Sequence, residues 1–465
     1  MRERPLIVFA SATAVIALHT AADTFIWPER GTSWSDHLVP GVATLAVLVA
    51  LVAAFVLVPR AGAQAAVALA LGALAIEGAV LSIVDARNVG VRGDDWTGFV
   101  LAPAGLALCV LGTVLLWRSR KPGRLRWLRR AGLALVALLG VYWVVAPLAV
   151  AIAATHRPRQ PVAAVALGRP YEQVTLKTRD GLRLAAWYVR SRNGAAVVSY
   201  PTRQGKLPQA RMLIRHGYGV LLLDARGYDG SDGAPNMFGW GETKDIDAAV
   251  SWLRRQPEVH GGQVGGIGFS VGGEMMLEAA AHNPQLCAVI SEGAGIRSIR
   301  EELLYGARSI PSLPAQAVQT AALAVLSATP PPPSLHELAQ RIAPRAVFLI
   351  YAEHGTGGED LNDNFYRAAG EPKQLWRVDG ADHTGGYETD PRGYERRVVA
   401  FLDRALLGKS EGRLTAGGPA AALGDAVPGV SPRSPAFRAA RSCTRSSKGV
   451  TRRVTSPVPE ASADD

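Results

Sequence analysis

Gly266-Ile267-Gly268-Phe269-Ser270-Val271-Gly272-Gly273-Glu274 is the stretch whose reading decides the fold. It holds the pattern G-x-S-x-G, with Ser270 between Gly268 and Gly272. Gln263-Val264-Gly265-Gly266-Ile267 before it reads as a short buried strand, and Glu274–Ala281 after it reads as a helix. A serine on a tight strand-to-helix turn is held strained and exposed, and only small neighbours let the two elements approach. The helix that follows presents unpaired backbone N–H groups and the positive end of its dipole, which suits a negative charge developing on an oxygen. Glycine is common in this chain, 49 of 465 residues, so the pattern takes its weight from its place between strand and helix.

Working outward, His383 lies in a Gly-rich loop after a candidate strand, Gln374–Val378, and before a helical pattern from Pro391 to Leu407. A histidine placed downstream of an exposed serine, just past a strand end, is a candidate general base. A carboxylate is needed to accept from its second ring nitrogen. Ala346–Tyr351 reads as a buried strand, and the loop beyond it offers Glu353, Glu359 and Asp360. Glu359, just before a helical stretch, is preferred. Asp360 is the runner-up, with Glu353 and Glu292 as further alternatives.

These residues carry a resemblance. From about Tyr171 to Leu407 the chain resembles the α/β-hydrolase superfamily, whose nucleophile, acid and histidine follow one another as Ser270, Glu359 and His383 do here. Asp224-Ala225-Arg226-Gly227-Tyr228-Asp229-Gly230-Ser231 is similar to the family's segment after the fourth strand, with Asp229 where glycine is usual. That segment is expected to pack behind the site without touching the chemistry. The family usually has His-Gly after the third strand, whereas this chain has Tyr200-Pro201-Thr202-Arg203. By position, Val271 gives one oxyanion N–H and Thr202 or Arg203 the other; proline has none to give. Arg203 is also a candidate for binding an anionic substrate group.

The front of the chain is different material. Five apolar segments, roughly Pro5–Trp27, Leu38–Val58, Gln64–Val84, Thr97–Trp117 and Ala131–Ala153, are each long enough to cross a hydrocarbon core of about 30 Å as a helix. Arg118 to Arg130 form the most basic short loop, which places that loop and the N-terminus in the cytoplasm and, after a fifth crossing, the rest of the chain outside. Arg87, Arg92, Arg157 and Arg159 run against this assignment. Asp23 and Glu77 fall within the apolar segments, but no paired relay of acids and histidines is evident.

The expected architecture is therefore a multi-pass helical membrane bundle over residues 1–160, then an α/β domain over 161–408 with a mostly parallel sheet and a short helical cap. Residues 409–465, rich in Gly, Ala, Pro, Ser and Arg, read as a disordered tail. The cap helix, Ala315–Ser327, is read first as packing on the core, with a lid or a bilayer contact as alternatives. A net charge of +11 is explained by the basic loop and the tail rather than by nucleic acid. No metal-ligand spacing and no dinucleotide signature occurs, so no cofactor or metal is expected, and the three cysteines form no C-x-x-C. The expected activity is serine-dependent hydrolysis of a carboxylic ester or related acyl bond, on a small or lipid-like acyl substrate at the bilayer. The alternatives are a thioesterase or peptidase of the same fold, or a non-catalytic membrane scaffold that keeps it.

Overall fold

The computed structural model describes residues 3–119 and 126–409. The expectations for the tail and for the middle of the basic loop lie outside the described residues.

Five helices are long and apolar enough to cross a membrane: Glu3–Ile26, Leu38–Leu57, Ala61–Val89, Asp95–Arg118 and Leu128–Thr155. They pack through small residues. A Cβ on Gly72 would lie 2.8 Å from the Gly105 carbonyl oxygen, and one on Gly105 would lie 2.8 Å from that of Gly72. The third and fourth helices thus touch backbone to backbone, the packing open to helices whose surroundings supply no hydrophobic drive between them. Phe9 and Phe55 stack between the first and second helices, ring centroids 4.1 Å apart. The outward side chains, among them Val49, Leu57 and Leu138, are apolar and exposed. Asp23 lies 3.8 Å from His156, and Glu77 Oε2 is buried with no partner among the described residues.

The second half is one eight-stranded sheet in the order β1-β2-β4-β3-β5-β6-β7-β8. The strands are β1 Glu172–Lys177, β2 Arg183–Val189, β3 Ala196–Tyr200, β4 Gly219–Leu223, β5 Val264–Phe269, β6 Ala288–Glu292, β7 Ala346–His354 and β8 Lys373–Asp382. β1 and β2 pair antiparallel, as does β2 with β4; every other pair is parallel. The central strands β3, β4 and β6 are buried at every residue, as strands covered on both faces must be. Side chains that alternate along them feed two cores, one with Val198, Leu221 and Met276, the other with Val197, Leu222 and Phe348.

The two halves are clamped together by the turn after β4. Arg159 is buried, donating Nη1 to the carbonyls of Ser231 (2.8 Å) and Asp229 (3.3 Å) and Nη2 to Glu29 (2.9 Å). Its own backbone is held by Asp85 and Asn88 of the third helix. Arg157 stacks 4.1 Å from the Tyr228 ring centroid and lies 3.6 Å from the Asp229 carboxylate, which also accepts from the Gln160 N–H at 3.2 Å. Arg30 N–H groups reach Asp232 and its carbonyl accepts from Gly233. The ends of the first, third and fifth helices therefore meet the sheet domain, and the described ends of the fourth and fifth helices at Arg118 and Leu128 lie at the opposite end of the bundle. The turn expected only to pack behind the site is also the docking platform. Arg157 and Arg159, which ran against the topology assignment, are spent on this joint.

The cap differs from expectation. Its helix, Leu313–Leu326, lies along the fifth bundle helix, with Leu323 packed on Ala151, Ala154 and Trp240. It is covered by the bundle and not by the core of the sheet domain.

Candidate active site

β5 runs straight into Ser270, which has φ 53° and ψ −126°, a conformation that L-residues avoid unless neighbours enforce it. Close approach does the enforcing. A Cβ on Gly268 would sit 2.0 Å from the Gly272 carbonyl oxygen, and one on Gly272 would sit 2.6 Å from that of Tyr200. The Ser270 N–H is tied to the Glu292 carbonyl at 2.8 Å, so the turn is anchored to β6 as well. Helix Val271–His282 starts at the next residue; its Gly273 and Glu274 N–H groups donate to the Ser270 carbonyl at 2.8 and 3.3 Å, which leaves those of Val271 and Gly272 without an acceptor among the described residues.

The end of β8 carries His383, whose Nε2 lies 2.9 Å from Ser270 Oγ. Its Nδ1 meets Glu359 Oε1. Glu359 is 1 % exposed and its second oxygen accepts from the Ala352 N–H at 3.0 Å, so the carboxylate is held from both sides. Donation to this carboxylate favours the charged imidazole and raises the His383 pKa, against partial burial, which lowers it. Hydroxyl, imidazole and buried carboxylate thus form one hydrogen-bonded chain.

The other carboxylates are engaged elsewhere. Asp360 accepts from the Tyr305 hydroxyl at 2.5 Å, and Glu353 accepts from the Gly380 N–H at 2.8 Å. Glu292 takes the Tyr394 hydroxyl at 2.6 Å and the Gly386 N–H at 3.0 Å, and burial pushes its pKa up to about 7. It steadies the histidine loop from below. Lys206, which sequence reasoning did not single out, holds the same loop from β3's side by donating to the Thr384 carbonyl at 2.6 Å. No motif marks a lysine for that task.

Val271 and Thr202 remain available as oxyanion donors: neither backbone N–H has a protein acceptor among the described residues. Arg203 is a correction. Its N–H and its Nε both donate to Asp224, at 2.8 and 2.7 Å, and the side chain is buried under the β4 turn. It serves neither an oxyanion nor an anionic substrate. A cavity of about 320 Å³, lined by Tyr200, Pro201, Thr202, Lys206, Phe269 and Glu388, opens beside the turn. No group of three or more His, Cys, Asp or Glu among the described residues is arranged to hold a metal.

The family model described as X-Pro dipeptidyl-peptidase (S15 family) matches residues 148–386, just over half of the chain. The chain belongs to the S15 family. The match begins inside the fifth bundle helix and ends in the histidine loop, so it takes in the β4 turn, Ser270, Glu359 and His383. This S15 chain is 28 % identical over 250 residues to an uncharacterized protein of Mycobacterium tuberculosis, covering 51 % of this chain and 81 % of that one. It is 33 % identical over 137 residues to the polyketide transferase grgF of a Penicillium species, covering 26 % and 44 %. Among solved structures, an esterase of Pyrococcus furiosus is similar at 22 % identity with a TM-score of 0.42, covering 52 % of this chain and 98 % of that one. The S15 assignment makes the chain a hydrolase with an α/β-hydrolase-type domain behind an apolar helical region.

Proposed function

We propose that this chain is a membrane-anchored serine hydrolase that cleaves an acyl ester through an acyl-enzyme on Ser270. The observation that carries the reading is the 2.9 Å contact between His383 Nε2 and Ser270 Oγ, with His383 Nδ1 on the buried Glu359 carboxylate. Neutral His383 takes the hydroxyl proton as Oγ attacks the carbonyl carbon. Glu359 holds the imidazole in the tautomer with Nε2 free and stabilises the imidazolium that forms. The Val271 and Thr202 N–H groups receive the negative oxygen. His383 then gives its proton to the departing alcohol, and a water, deprotonated by the same imidazole, releases the acid and restores Ser270.

Labelling of membranes with a fluorophosphonate probe tests this. The wild-type chain is expected to label, and Ser270→Ala and His383→Ala are expected to lose the label. A folded wild-type chain that does not label supports the non-catalytic scaffold instead. A peptidase is the second reading, favoured by the S15 match. Short acyl esters set against Xaa-Pro amides separate the two, since a higher kcat/KM on the amides displaces the ester reading.

The five apolar helices support the anchoring. The basic residues of the sequence between Arg118 and Arg130 support a cytoplasmic N-terminus and an external catalytic domain. Protease added to intact cells is then expected to reach the catalytic domain; protection equal to that of a cytosolic marker refutes this orientation.

A further inference from the structure

We infer that the cap segment Leu303–Ser327 is itself immersed in the bilayer and that the Ser270 site receives its substrate, a bilayer-resident acyl lipid, sideways from the membrane. The inference rests on the anchoring and hydrolase readings above and adds to them where the site opens and to what.

Depth is the first observation. Trp143 Nε1 donates to the Pro311 carbonyl at 2.8 Å, at the tip of the cap. Trp143 lies twelve residues before Thr155 along the fifth helix, about 18 Å at 1.5 Å per residue. Measured from the other end it lies thirteen residues, about 20 Å, beyond Arg130. A hydrocarbon core of about 30 Å then puts the tip between about 10 and 18 Å inside its outer boundary. The cap helix climbs back along the fifth helix from this tip until Leu323 reaches Ala151 and Ala154.

Composition is the second. Leu313–Leu326 carries no charged residue. Leu303, Leu304, Ile310 and Val325 are exposed, and they continue the exposed apolar surface of the bundle. The occupant that covers the bundle's outer face therefore covers the cap as well, and that occupant is lipid. Arg308 is exposed next to the tip. It is the one charged residue between Leu303 and Ser327, so immersion has a single guanidinium to accommodate.

Proximity to the chemistry is the third. A single loop, Asn236–Trp240, separates the nucleophile turn from the fifth helix. A Cβ on Gly239 would meet Val271 Cγ1 at 3.0 Å, while Met237 N–H donates to the Ala154 carbonyl at 3.0 Å and Trp240 packs on Ala151 and Ala154. On the other side, Tyr305 of the cap is bonded to Asp360, the neighbour of Glu359. The nucleophile and its acid are thus bracketed by two elements that both stand on the bundle.

The test reconstitutes the full chain in liposomes with a nitroxide at Ile310→Cys, Val136→Cys or Asp379→Cys, read against the unsubstituted chain. Collision with oxygen reports lipid, and collision with a nickel chelate reports water. Ile310 is expected to match Val136 on the fifth helix and to differ from Asp379 on the catalytic domain. A water-like Ile310 beside a lipid-like Val136 overturns the cap proposal and leaves the anchoring intact; both water-like overturns the anchoring and the proposal with it. For the substrate, Ile310→Asp is expected to lower hydrolysis of an acyl ester dissolved in the bilayer at least tenfold while leaving a water-soluble short ester unchanged. Equal rates on the bilayer ester before and after the substitution overturn lateral entry. Absence of turnover on every ester with normal fluorophosphonate labelling overturns the ester reading rather than the immersion of the cap, which the nitroxides report separately.

Discussion

Two turns at the ends of the parallel strands that flank β3 invite comparison. After β5, Ser270 has φ 53°; after β4, Asp229 has φ 38°. Both are non-glycine residues in backbone territory that costs about 1–3 kcal/mol, and both carry a short polar side chain. Their partners differ entirely. Ser270 presents its hydroxyl to an imidazole and leaves room for a substrate. Asp229 presents its carboxylate to Arg157 and the Gln160 N–H, which belong to the linker from the bundle. Strain marks a position held for a purpose, and the partners decide whether the purpose is chemistry or attachment.

The comparison breaks most sharply on activity. Ser270→Ala is expected to lower kcat by roughly 10⁶-fold, whereas Asp229→Ala is expected to keep hydrolysis within severalfold; similar losses from both place the β4 turn in the chemistry. Next comes Glu359→Gln, with kcat expected to fall by roughly 10³–10⁴-fold. Here the pH profile gives a second reading. The His383 pKa is raised, chiefly by its bond to Glu359, and the base must be neutral. Activity in the wild type therefore falls as pH drops through a value above the ordinary imidazole pKa of about 6.5. Removing the carboxylate's charge moves that limb to lower pH. A limb that stays put assigns the pH dependence to another group.

On the attachment side, Arg159→Ala leaves the Ser231 and Asp229 carbonyls and Glu29 without their donor in a buried joint. A loss of about 2–4 kcal/mol is expected, seen as a lower Tm in detergent with fluorophosphonate labelling retained at low temperature. An unchanged Tm would mean the two halves are not held by this clamp. The smallest effects come from relieving the strain itself. Ser270→Gly is expected to stabilise the chain by about 1 kcal/mol. Asp229→Gly gains as much and loses the Arg157 contact, so its net change is expected to be within about 1 kcal/mol. Equal gains in both would show that the Arg157 pair contributes nothing.

The same contrast explains what could be read from sequence. The β5 turn announces itself because its glycines recur at fixed spacing around one serine, and the strand and helix on either side follow from hydrophobic patterning. The bundle is equally plain, since an apolar run long enough to cross a membrane has few other uses. Glu359 was preferred among several loop carboxylates, but only geometry separates it from Asp360, one residue away and turned toward Tyr305. Arg203 failed for a related reason: position in a loop does not tell where an N–H points, and Asp224 had claimed it. The clamp was invisible because Arg157 and Arg159 lie about seventy residues from Asp229, and nothing local distinguishes an arginine that orients a membrane helix from one buried in a joint.

The clamp also sets a height. With Arg159 pinned at once to Glu29, to Asp85 and Asn88, and to the β4 turn, the catalytic domain is tied to the first and third helices through one residue. On the proposed anchoring, such an enzyme would work as a gauge: molecules whose scissile bond sits at the level of Ser270 would be within reach, and those that carry it too deep or too far out would be passed over, whatever their affinity for the pocket.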